Sequence, residues 1–330
     1  MIYEKQTFVD GEVLTAGQLN RIEDALARIA ASTSNPNLLD NAYFVNPINQ
    51  RGQTVYGSGY SIDRFAVNGT GATLTLNQGA VTLASADIQA VFIQAFENSA
   101  YLVGKTVTLS ALVKNNSGGV RLGIARSSTG LYNENGVANM SNVSGDGIVA
   151  LTATLGDVLT GTQRFNFCLY LSENASCDIV AMKLELGSQQ TLARQENGAW
   201  ILNDPPPNKQ QELAKCQRYF QRISNKSGGT SIVGSGQVES NGSIVINIPV
   251  PVTMRALTAI TAKGIRVRVA GESYLTLAED YTIGGQRLNT NSIQFSIATT
   301  SDVSGLAGKP VAVSLTAETT PSYIDFSADL

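Results

Sequence analysis

The chain has 330 residues, of which 43% are hydrophobic and 15% charged, so it can bury sizeable cores. Its net charge of −3 gives no broad attraction to nucleic acid or to anionic membranes. Histidine is absent, which excludes Ser-His-Asp and Cys-His catalysis as well as His-ligated metal sites. No apolar run is long enough to predict a transmembrane helix, and the first residues lack the apolar region of a secretory signal.

Residues 1–34 are predicted to form an N-terminal attachment arm followed by a helix. Thr15 and Gln18 have the spacing of a capping box, with Thr15 as the N-cap. The helix that follows carries a heptad seam made of Leu19, Ile22, Leu26 and Ile29. Two heptads are too short to form a stable coiled coil alone. The seam therefore either packs on its own domain or serves as an oligomerisation surface.

From residue 35 to 202 the sequence predicts a module of antiparallel strands, a β-sandwich or jelly roll. Short runs rich in β-branched residues or with period-two alternation are separated by Gly- and Asn-rich turns, and no helical segment intervenes. The predicted strands lie at 73–76, 90–96, 106–113, 120–125, 164–171 and 178–186.

Residues 203–227 are predicted to be a proline linker with a connecting helix, and residues 228–330 a second β-sandwich. Three consecutive prolines, 205–207, favour an extended polyproline strut. After them, an apolar stripe at helical spacing predicts a helix packed on the last module. The stripe consists of Leu213, Cys216, Phe220 and Ile223. The strands of the last module are predicted at 243–250, 265–270, 292–298 and 310–317.

Aromatic and amide side chains in loops are the candidate ligand-binding residues. A sugar ring stacks on a flat aromatic ring, and its hydroxyls bind amide groups. One candidate site contains Tyr132, Asn133 and Asn135, and a second contains Tyr56 and Tyr60. The alternative is that each tyrosine packs at the base of its loop. The single tryptophan, Trp200, is expected to fill a junction between modules.

Other patterns of catalytic or cofactor chemistry are weak, so neither an enzyme, a cofactor nor a bound metal is predicted. The carboxylates form no spaced pair typical of a glycosidase. The Gly-rich stretches match no phosphate-binding loop. Oxygen ligands at Asn142 and Asp146 leave a calcium site as a minor alternative. Three irregularly spaced cysteines are predicted to be reduced and buried.

Several strings resemble phage and prophage tail-fibre proteins. ELAKCQRYFQR at 212–222, VPVTMRALT at 250–258 and the final FSADL resemble their C-terminal module, although Leu257-Thr258 stands where a proline is more usual. The strings at 37–52, 60–65, 104–114 and 182–188 resemble the carbohydrate-binding-like jelly roll of the same family. The residues around Asp10-Gly11 resemble its virion-proximal start.

This resemblance implies a homotrimeric structural protein of the virion tail, assembled in the cytoplasm of the bacterial host. Such a protein attaches through its N-terminal segment to other tail or baseplate proteins and binds a bacterial surface polysaccharide. Neither nucleic-acid binding nor membrane insertion is implied. Two alternatives remain open: a purely structural baseplate or decoration protein, and a fibre with polysaccharide depolymerase activity.

Overall fold

The structure is a computed structural model of the whole chain. It describes residues 11, 13, 15–32, 34–127, 135–140, 142–156, 163–225, 230–271, 274–276, 281–298, 303–316 and 322–328. Side chains at 27–32, 135–136, 274–276 and 304 are outside this description. Among the described residues, no helix combines the length and apolarity needed to cross a membrane.

The chain is mostly β, as predicted, with three α-helices and 24 strands in its described part. The helices are α1 (Ala16–Ser32), α2 (Ser99–Leu102) and α3 (Lys209–Gln217), with a 3-10 turn at Ser304–Leu306. The first twelve strands are β1 (Val55–Tyr56), β2 (Gly59–Tyr60), β3 (Ala66–Asn68), β4 (Thr73–Asn77), β5 (Ala80–Ala84), β6 (Ala90–Ala95), β7 (Thr106–Lys114), β8 (Val120–Ser127), β9 (Asn135–Asn139), β10 (Gly147–Thr154), β11 (Arg164–Leu171) and β12 (Ser176–Leu186). The others are β13 (Ala193–Glu196), β14 (Ala199–Leu202), β15 (Phe220–Ser224), β16 (Thr230–Val238), β17 (Ile244–Pro249), β18 (Ala259–Lys263), β19 (Ile265–Val269), β20 (Tyr274–Thr276), β21 (Thr282–Leu288), β22 (Ser292–Ala298), β23 (Pro310–Thr316) and β24 (Tyr323–Ser327).

Two compact units divide the chain, and their boundaries differ from the predicted modules. Unit 1 contains residues 1–46 and 67–207, and unit 2 contains residues 47–66 and 208–330. The division between the units falls between Pro207 and Asn208, inside the predicted linker segment 203–227. The excursion at residues 47–66 was not predicted, because its partners lie more than 150 positions away in the sequence.

Unit 1 is built on two antiparallel sheets whose central strands are buried on both faces. One sheet includes the order β4-β5-β12-β7-β10, and the other includes β3-β6-β11-β8-β9. In β11, Phe165 and Phe167 are fully buried on one face and Cys168 on the other. This double burial explains why the sequence of β11 is a nearly continuous apolar run.

Helix α1 begins with the predicted capping box. The backbone N–H of Thr15 donates to Gln18 Oε1 at 2.8 Å, and the N–H of Gln18 donates to Thr15 Oγ1 at 3.3 Å. Along the predicted seam, Leu19 is 47% exposed and Leu26 is 54% exposed. Ile22 is half-buried, and the side chain of Ile29 is outside the described set. The described part of the seam is therefore not buried within this chain.

Unit 2 contains a sandwich of unequal sheets. The larger sheet has the order β20-β19-β23-β16-β17-β22-β21, and the smaller has the order β15-β24-β18. Their facing side chains form one apolar core, in which Phe295 and Phe326 pack edge to face with ring centroids 6.4 Å apart. Alternation along β17 and β22 places every second residue in this core, as the sequence pattern predicts.

The connecting helix is shorter than predicted. Helix α3 ends at Gln217, and Phe220 and Ile223 lie in strand β15, so the predicted four-residue helical stripe is wrong. The backbone of β15 pairs with β24, with Phe220 opposite Ser327 and Ile223 opposite Ile324. Sheet pairing with a distant strand has overridden the local helical spacing.

Residues 47–66 are held in unit 2 by arginine and aromatic side chains. The guanidinium of Arg51 lies 3.8 Å from the ring centroid of Phe220, and that of Arg64 lies 3.4 Å from Tyr219. Gln50 Nε2 donates to the carbonyl of Phe220 at 2.7 Å. Arg222 donates to the carbonyl of Arg51. We call this set of contacts the arginine clasp.

The clasp also joins the C-terminal strings to one another. Arg222 binds Asp325 through two nitrogens, at 2.6 Å and 2.5 Å. The N–H of Arg255 donates to the Arg218 carbonyl at 2.9 Å, and the N–H of Ala328 donates to the Tyr219 carbonyl at 2.6 Å. Residues 218–222, Arg255 and residues 325–328, which are far apart in the sequence, therefore form one packed junction.

Replacing Arg222 with Gln is expected to destabilise unit 2. The change leaves the largely buried Asp325 without its bidentate partner, and such losses cost about 3–5 kcal/mol. Urea denaturation followed by circular dichroism measures the change in the free energy of unfolding. The matched control is Lys215→Gln, which removes the ion pair of the half-exposed Lys215 with Glu212 on helix α3 and should cost less than about 1 kcal/mol. Equal effects of the two substitutions would contradict the importance of the clasp.

Candidate functional site

A hairpin covers the outer face of the first sheet of unit 1. Strands β13 and β14 pair antiparallel around the turn Asn197-Gly198. Both turn residues have positive φ, 51° and 78°, as a two-residue hairpin turn of this type requires. Side chains of the hairpin and of the sheet pack together in a small apolar cluster that includes Leu192, Leu112 and Val180.

Beside the hairpin, unit 1 has an open groove of about 540 Å³. Strand β14 and the start of the proline segment form one wall, and the end of β7 and the middle of β12 form the floor. The lining residues are Tyr43, Leu112, Lys114, Val180, Trp200, Ile201, Leu202, Asn203, Asp204, Pro205 and Pro206. Aromatic, apolar and charged groups thus line one concave surface, the composition expected of a small-ligand site.

Trp200 is held against the first residue of strand β10. A Cβ atom at Gly147 would lie 3.0 Å from Trp200 Nε1 and 3.4 Å from Cε2, so the indole packs directly on the glycine backbone. Gly147 also has a φ of +133°, which side chains rarely adopt. Trp200 and Tyr43 are both half-buried, so each retains some ring surface in the groove.

An ion pair fixes the end of the groove. Lys183, on β12, is fully buried, and its Nζ lies 2.8 Å from Asp204 Oδ2. The same ammonium donates to Ser34 Oγ. The Asp204 side chain remains 35% exposed. Because Asp204 directly precedes the three prolines, this pair anchors the start of that run on the sheet.

A second buried charged residue of β12 binds the segment that precedes the hairpin. Glu185 is fully buried and accepts hydrogen bonds from the Thr191 N–H at 2.7 Å and from Asn35 Nδ2 at 3.1 Å. Asn203 bridges to the hairpin, accepting from Arg194 Nη1 at 2.8 Å and donating to the Thr191 carbonyl at 3.0 Å. These bonds hold the hairpin rigidly in place.

The groove offers groups for hydrogen bonding and for stacking. Lys114 is exposed at the groove and supplies an ammonium donor. Asp204 supplies acceptor oxygens, one of which already binds Lys183. Within the described ranges, no group of three His, Cys, Asp or Glu side chains is placed to hold a metal ion. The arrangement suits hydrogen bonding to a polar ligand that stacks on an aromatic ring.

This groove was not predicted from the sequence, and Trp200 lies in a different place from the predicted one. It lines a surface within unit 1, whereas the sequence predicted that it fills a junction between modules. The dipeptide Asn197-Gly198 between two short apolar runs is the strongest local signal of a hairpin. That signal was sufficient to place Trp200 on a strand.

The first predicted ligand-binding loop is only partly described. Tyr132 and Asn133 lie outside the described residues, and Asn135 begins β9 opposite Arg126. Nearby amides are engaged in the fold: Asn139 Oδ1 accepts from Arg121 at 3.0 Å, and Asn142 Nδ2 donates to Ser172 Oγ at 3.3 Å. The ligand-binding role of this loop stays a prediction.

The second predicted site lies in the 47–66 excursion. Tyr56 is only 4% exposed, and its hydroxyl donates to Asn49 and accepts from the Gln53 N–H at 3.2 Å. Burial raises the pKa of this phenol above its usual range. Tyr60 is half-buried, with the Arg51 guanidinium 5.6 Å from its ring centroid. Burial of Tyr56 favours packing over ligand stacking, whereas the role of Tyr60 stays a prediction.

The oxygen groups considered for calcium are also engaged in turns. Asp146 Oδ1 accepts the Asn116 N–H at 3.1 Å, and the Asn116 side chain donates to the Gly145 carbonyl at 3.1 Å. These bonds are those of an ordinary polar turn, in which an amide side chain caps the backbone.

The three cysteines are free and buried, as predicted. Burial raises the pKa of the Cys168 and Cys177 thiols, each to about 12. A thiol with so high a pKa is neutral near pH 7 and is a poor nucleophile. The cysteines therefore act as small apolar core residues.

No protein-family model and no curated protein sequence matches the chain. Among solved structures, the Stig cyclase Fisc from Fischerella sp. TAU is 11% identical with a TM-score of 0.31, covering 48% of this chain and 100% of that chain. TmCBM61 in complex with beta-1,4-galactotriose is 16% identical with a TM-score of 0.26, covering 46% and 99%. The CBM22-1-CBM22-2 tandem domain of Paenibacillus barcinonensis Xyn10C is 10% identical with a TM-score of 0.28, covering 90% and 99%. At such TM-scores these similarities carry no argument about function.

Substitutions of Lys183 and of Asp204, the two members of the buried ion pair, are expected to lower the free energy of unfolding by unequal amounts. Asp204→Asn leaves the ammonium of Lys183 buried without a counterion, which costs about 3 kcal/mol or more. Lys183→Met replaces the lysine with an apolar side chain of similar length and leaves Asp204 partly hydrated, so its cost should be smaller. Thermal and urea unfolding of both variants test this order. A larger loss for Lys183→Met would contradict the assigned role of the pair.

Proposed function

We propose that this protein is a receptor-binding structural protein of a phage tail fibre, and that it binds a bacterial surface glycan in the groove of unit 1. In this proposal it binds without cleaving its ligand, and it resides in the virion tail after assembly in the host cytoplasm. Its N-terminal segment joins it to other tail or baseplate proteins.

The groove beside Trp200 is the observation that carries the glycan part of the proposal. An indole and a phenol provide flat faces for sugar rings, while Lys114 and Asp204 provide a donor and an acceptor for hydroxyls. The rigid hairpin, anchored by Lys183 and Glu185, preorganises this surface before the ligand arrives. The groove's volume of about 540 Å³ and its open form suit part of a saccharide chain.

The fibre part of the proposal is supported by the tail-fibre resemblance and by helix α1. Leu19 and Leu26 lie on one face of this helix and are each about half exposed, so the face can accept a further apolar surface. In this proposal two further copies of the same seam cover this face, because Leu and Ile at heptad spacing favour bundles of parallel helices. Homotrimerisation through α1 is therefore part of the proposal.

Replacing Trp200 with Leu is expected to weaken glycan binding roughly tenfold, because the substitution keeps apolar bulk but removes the flat ring. The assay applies purified polysaccharides from capsule, lipopolysaccharide and cell wall, together with whole bacterial cells. Since Trp200 is the only tryptophan, its fluorescence should also shift when a ligand enters the groove of the unmodified protein.

The matched control is Tyr101→Leu, which removes an exposed aromatic ring elsewhere in unit 1. It should leave both binding and the melting temperature unchanged. Binding that survives Trp200→Leu, or binding without any fluorescence change, would place the glycan elsewhere. Silence across all polysaccharides and strains would favour a purely structural virion protein. New reducing ends would indicate a depolymerase.

The substitution Leu26→Asp is expected to convert a trimer into monomers, because it buries a carboxylate in the apolar seam of each helix. Light scattering after size-exclusion chromatography measures the mass. The control Asp24→Ala alters an exposed position of the same helix and should leave the mass unchanged. A trimer that persists in Leu26→Asp would place the assembly interface outside this seam, and a monomeric unmodified protein would contradict the trimer itself.

A further inference from the structure

The charged side chains at the groove of unit 1 bear on which saccharides it can accept. The described lining of the groove contains two of them, Asp204 and Lys114. Asp204 places Oδ2 2.8 Å from the buried Nζ of Lys183, and its side chain is 35% exposed. Among the described residues, Oδ1 of the same carboxylate receives no hydrogen bond. A ligand in the groove therefore meets a carboxylate oxygen that is held in place and can accept a hydroxyl proton.

The second charged side chain, Lys114, has a carboxylate beside it on the neighbouring strand β12. Asp178 is directly opposite Lys114 in the pairing of β12 with β7, so both side chains project from the same face of the sheet. Thr82 Oγ1 donates to one oxygen of this carboxylate, and Asn115 Nδ2 donates to the other at 2.6 Å. These bonds hold the negative charge of Asp178 next to the ammonium of Lys114.

A further carboxylate lies on the other side of Lys114, next to strand β10. Gly147, the first residue of β10, is opposite Val113 on β7. Because the two strands are antiparallel, Asp146 follows in the direction of Lys114. The backbone N–H of Asn116 donates to Asp146 Oδ1 at 3.1 Å and fixes this side chain as well. The one lysine of the groove is therefore flanked by an aspartate on each side.

We propose that the groove selects neutral saccharides and rejects acidic ones. This inference rests on the function proposed above and names the class of its ligand. A uronic acid or a phosphodiester drawn to Lys114 would meet the two flanking aspartates, and elsewhere in the groove it would meet Asp204. Like charges brought together across an interface exclude a wrong partner.

A neutral saccharide avoids this repulsion and can use the same groups. Its hydroxyls donate to the carboxylate oxygen of Asp204, and its oxygens accept from the ammonium of Lys114. Its ring stacks on Trp200 or Tyr43, and stacking requires no charge on the ligand. The binding free energy then comes from stacking and from hydrogen bonds to uncharged hydroxyls, so it should depend little on salt.

The first test separates the capsule, lipopolysaccharide and cell-wall polysaccharides into neutral and acidic fractions by anion exchange. Binding that Trp200→Leu weakens should occur in the neutral fractions, with an affinity at least about tenfold higher than for the acidic ones. Raising the NaCl concentration from about 0.05 to 0.5 M should change the affinity for the neutral fraction less than about twofold.

The second test changes the charge of one polysaccharide chain. Oxidising the primary hydroxyls of a bound neutral polysaccharide to carboxylates should weaken its binding about tenfold at low salt. Methyl esterification of these carboxylates should restore most of the affinity, because it removes the charge and keeps the oxidised carbon. High salt should narrow the difference between the neutral and the oxidised form, because it screens the repulsion.

Substituting Asp178 with Asn is expected to raise the affinity for the oxidised polysaccharide about threefold or more, because it removes one of the opposing charges. A second variant, Asp146→Asn, should act in the same direction, and it keeps an oxygen that accepts the Asn116 N–H. Its exposed position makes a loss of folding unlikely to interfere, and melting temperatures check both variants. The matched control is Asp87→Asn, which removes an exposed carboxylate of unit 1 outside the groove lining and should leave the affinity unchanged.

Two sets of outcomes are distinguishable. Trp200-dependent binding that is as tight for acidic as for neutral fractions would overturn this inference and leave the proposed function intact. The same holds for an oxidised polysaccharide that binds as well as its neutral parent, and for an affinity that neither Asp178→Asn nor Asp146→Asn changes. Absence of binding in every fraction, or binding that Trp200→Leu does not weaken, would overturn the glycan groove itself and this inference with it.

Discussion

Strand β12 places a lysine and a glutamate in fully buried positions on the outer face of its sheet, and the candidate site of unit 1 depends on this constraint. A buried charge is tolerated only when it is paired or fully hydrogen bonded. Lys183 therefore requires Asp204 and Ser34, and Glu185 requires Thr191 and Asn35.

These partners come from segments on either side of the jelly-roll strands, and they fix what lies over the sheet. Asp204 and Thr191 flank the β13–β14 hairpin, so pairing them to β12 sets the hairpin's position. The hairpin in turn presents Trp200 over Gly147. Apolar packing alone would hold a hairpin less specifically, since it tolerates sliding, whereas a buried ion pair has one satisfactory geometry.

Sequence reasoning succeeded where the local pattern determines the structure. Strands β11 and β12 were predicted closely because their runs contain β-branched or aromatic residues and are bounded by turns. The capping box of α1 was likewise confirmed, since both partners lie within one turn. The prediction was wrong where a segment pairs with a strand that is distant in the sequence. Phe220 and Ile223 fit a helical stripe, yet pairing with β24 about a hundred residues later placed them in a strand.

The same limit explains why the recognisable C-terminal strings could not be interpreted individually. Each is a short piece of a junction that forms only when Tyr219, Arg222, Arg255 and Asp325 come together. Arginine suits such a junction because its planar group stacks on a ring and binds a carboxylate at once. These strings are accounted for by how they close unit 2, and they say less about what its surface binds. Evidence for ligand chemistry must come from exposed groups instead, such as the aromatic, apolar and charged side chains that line the groove of unit 1. A surface of this kind selects its ligand by stacking and shape more than by charge.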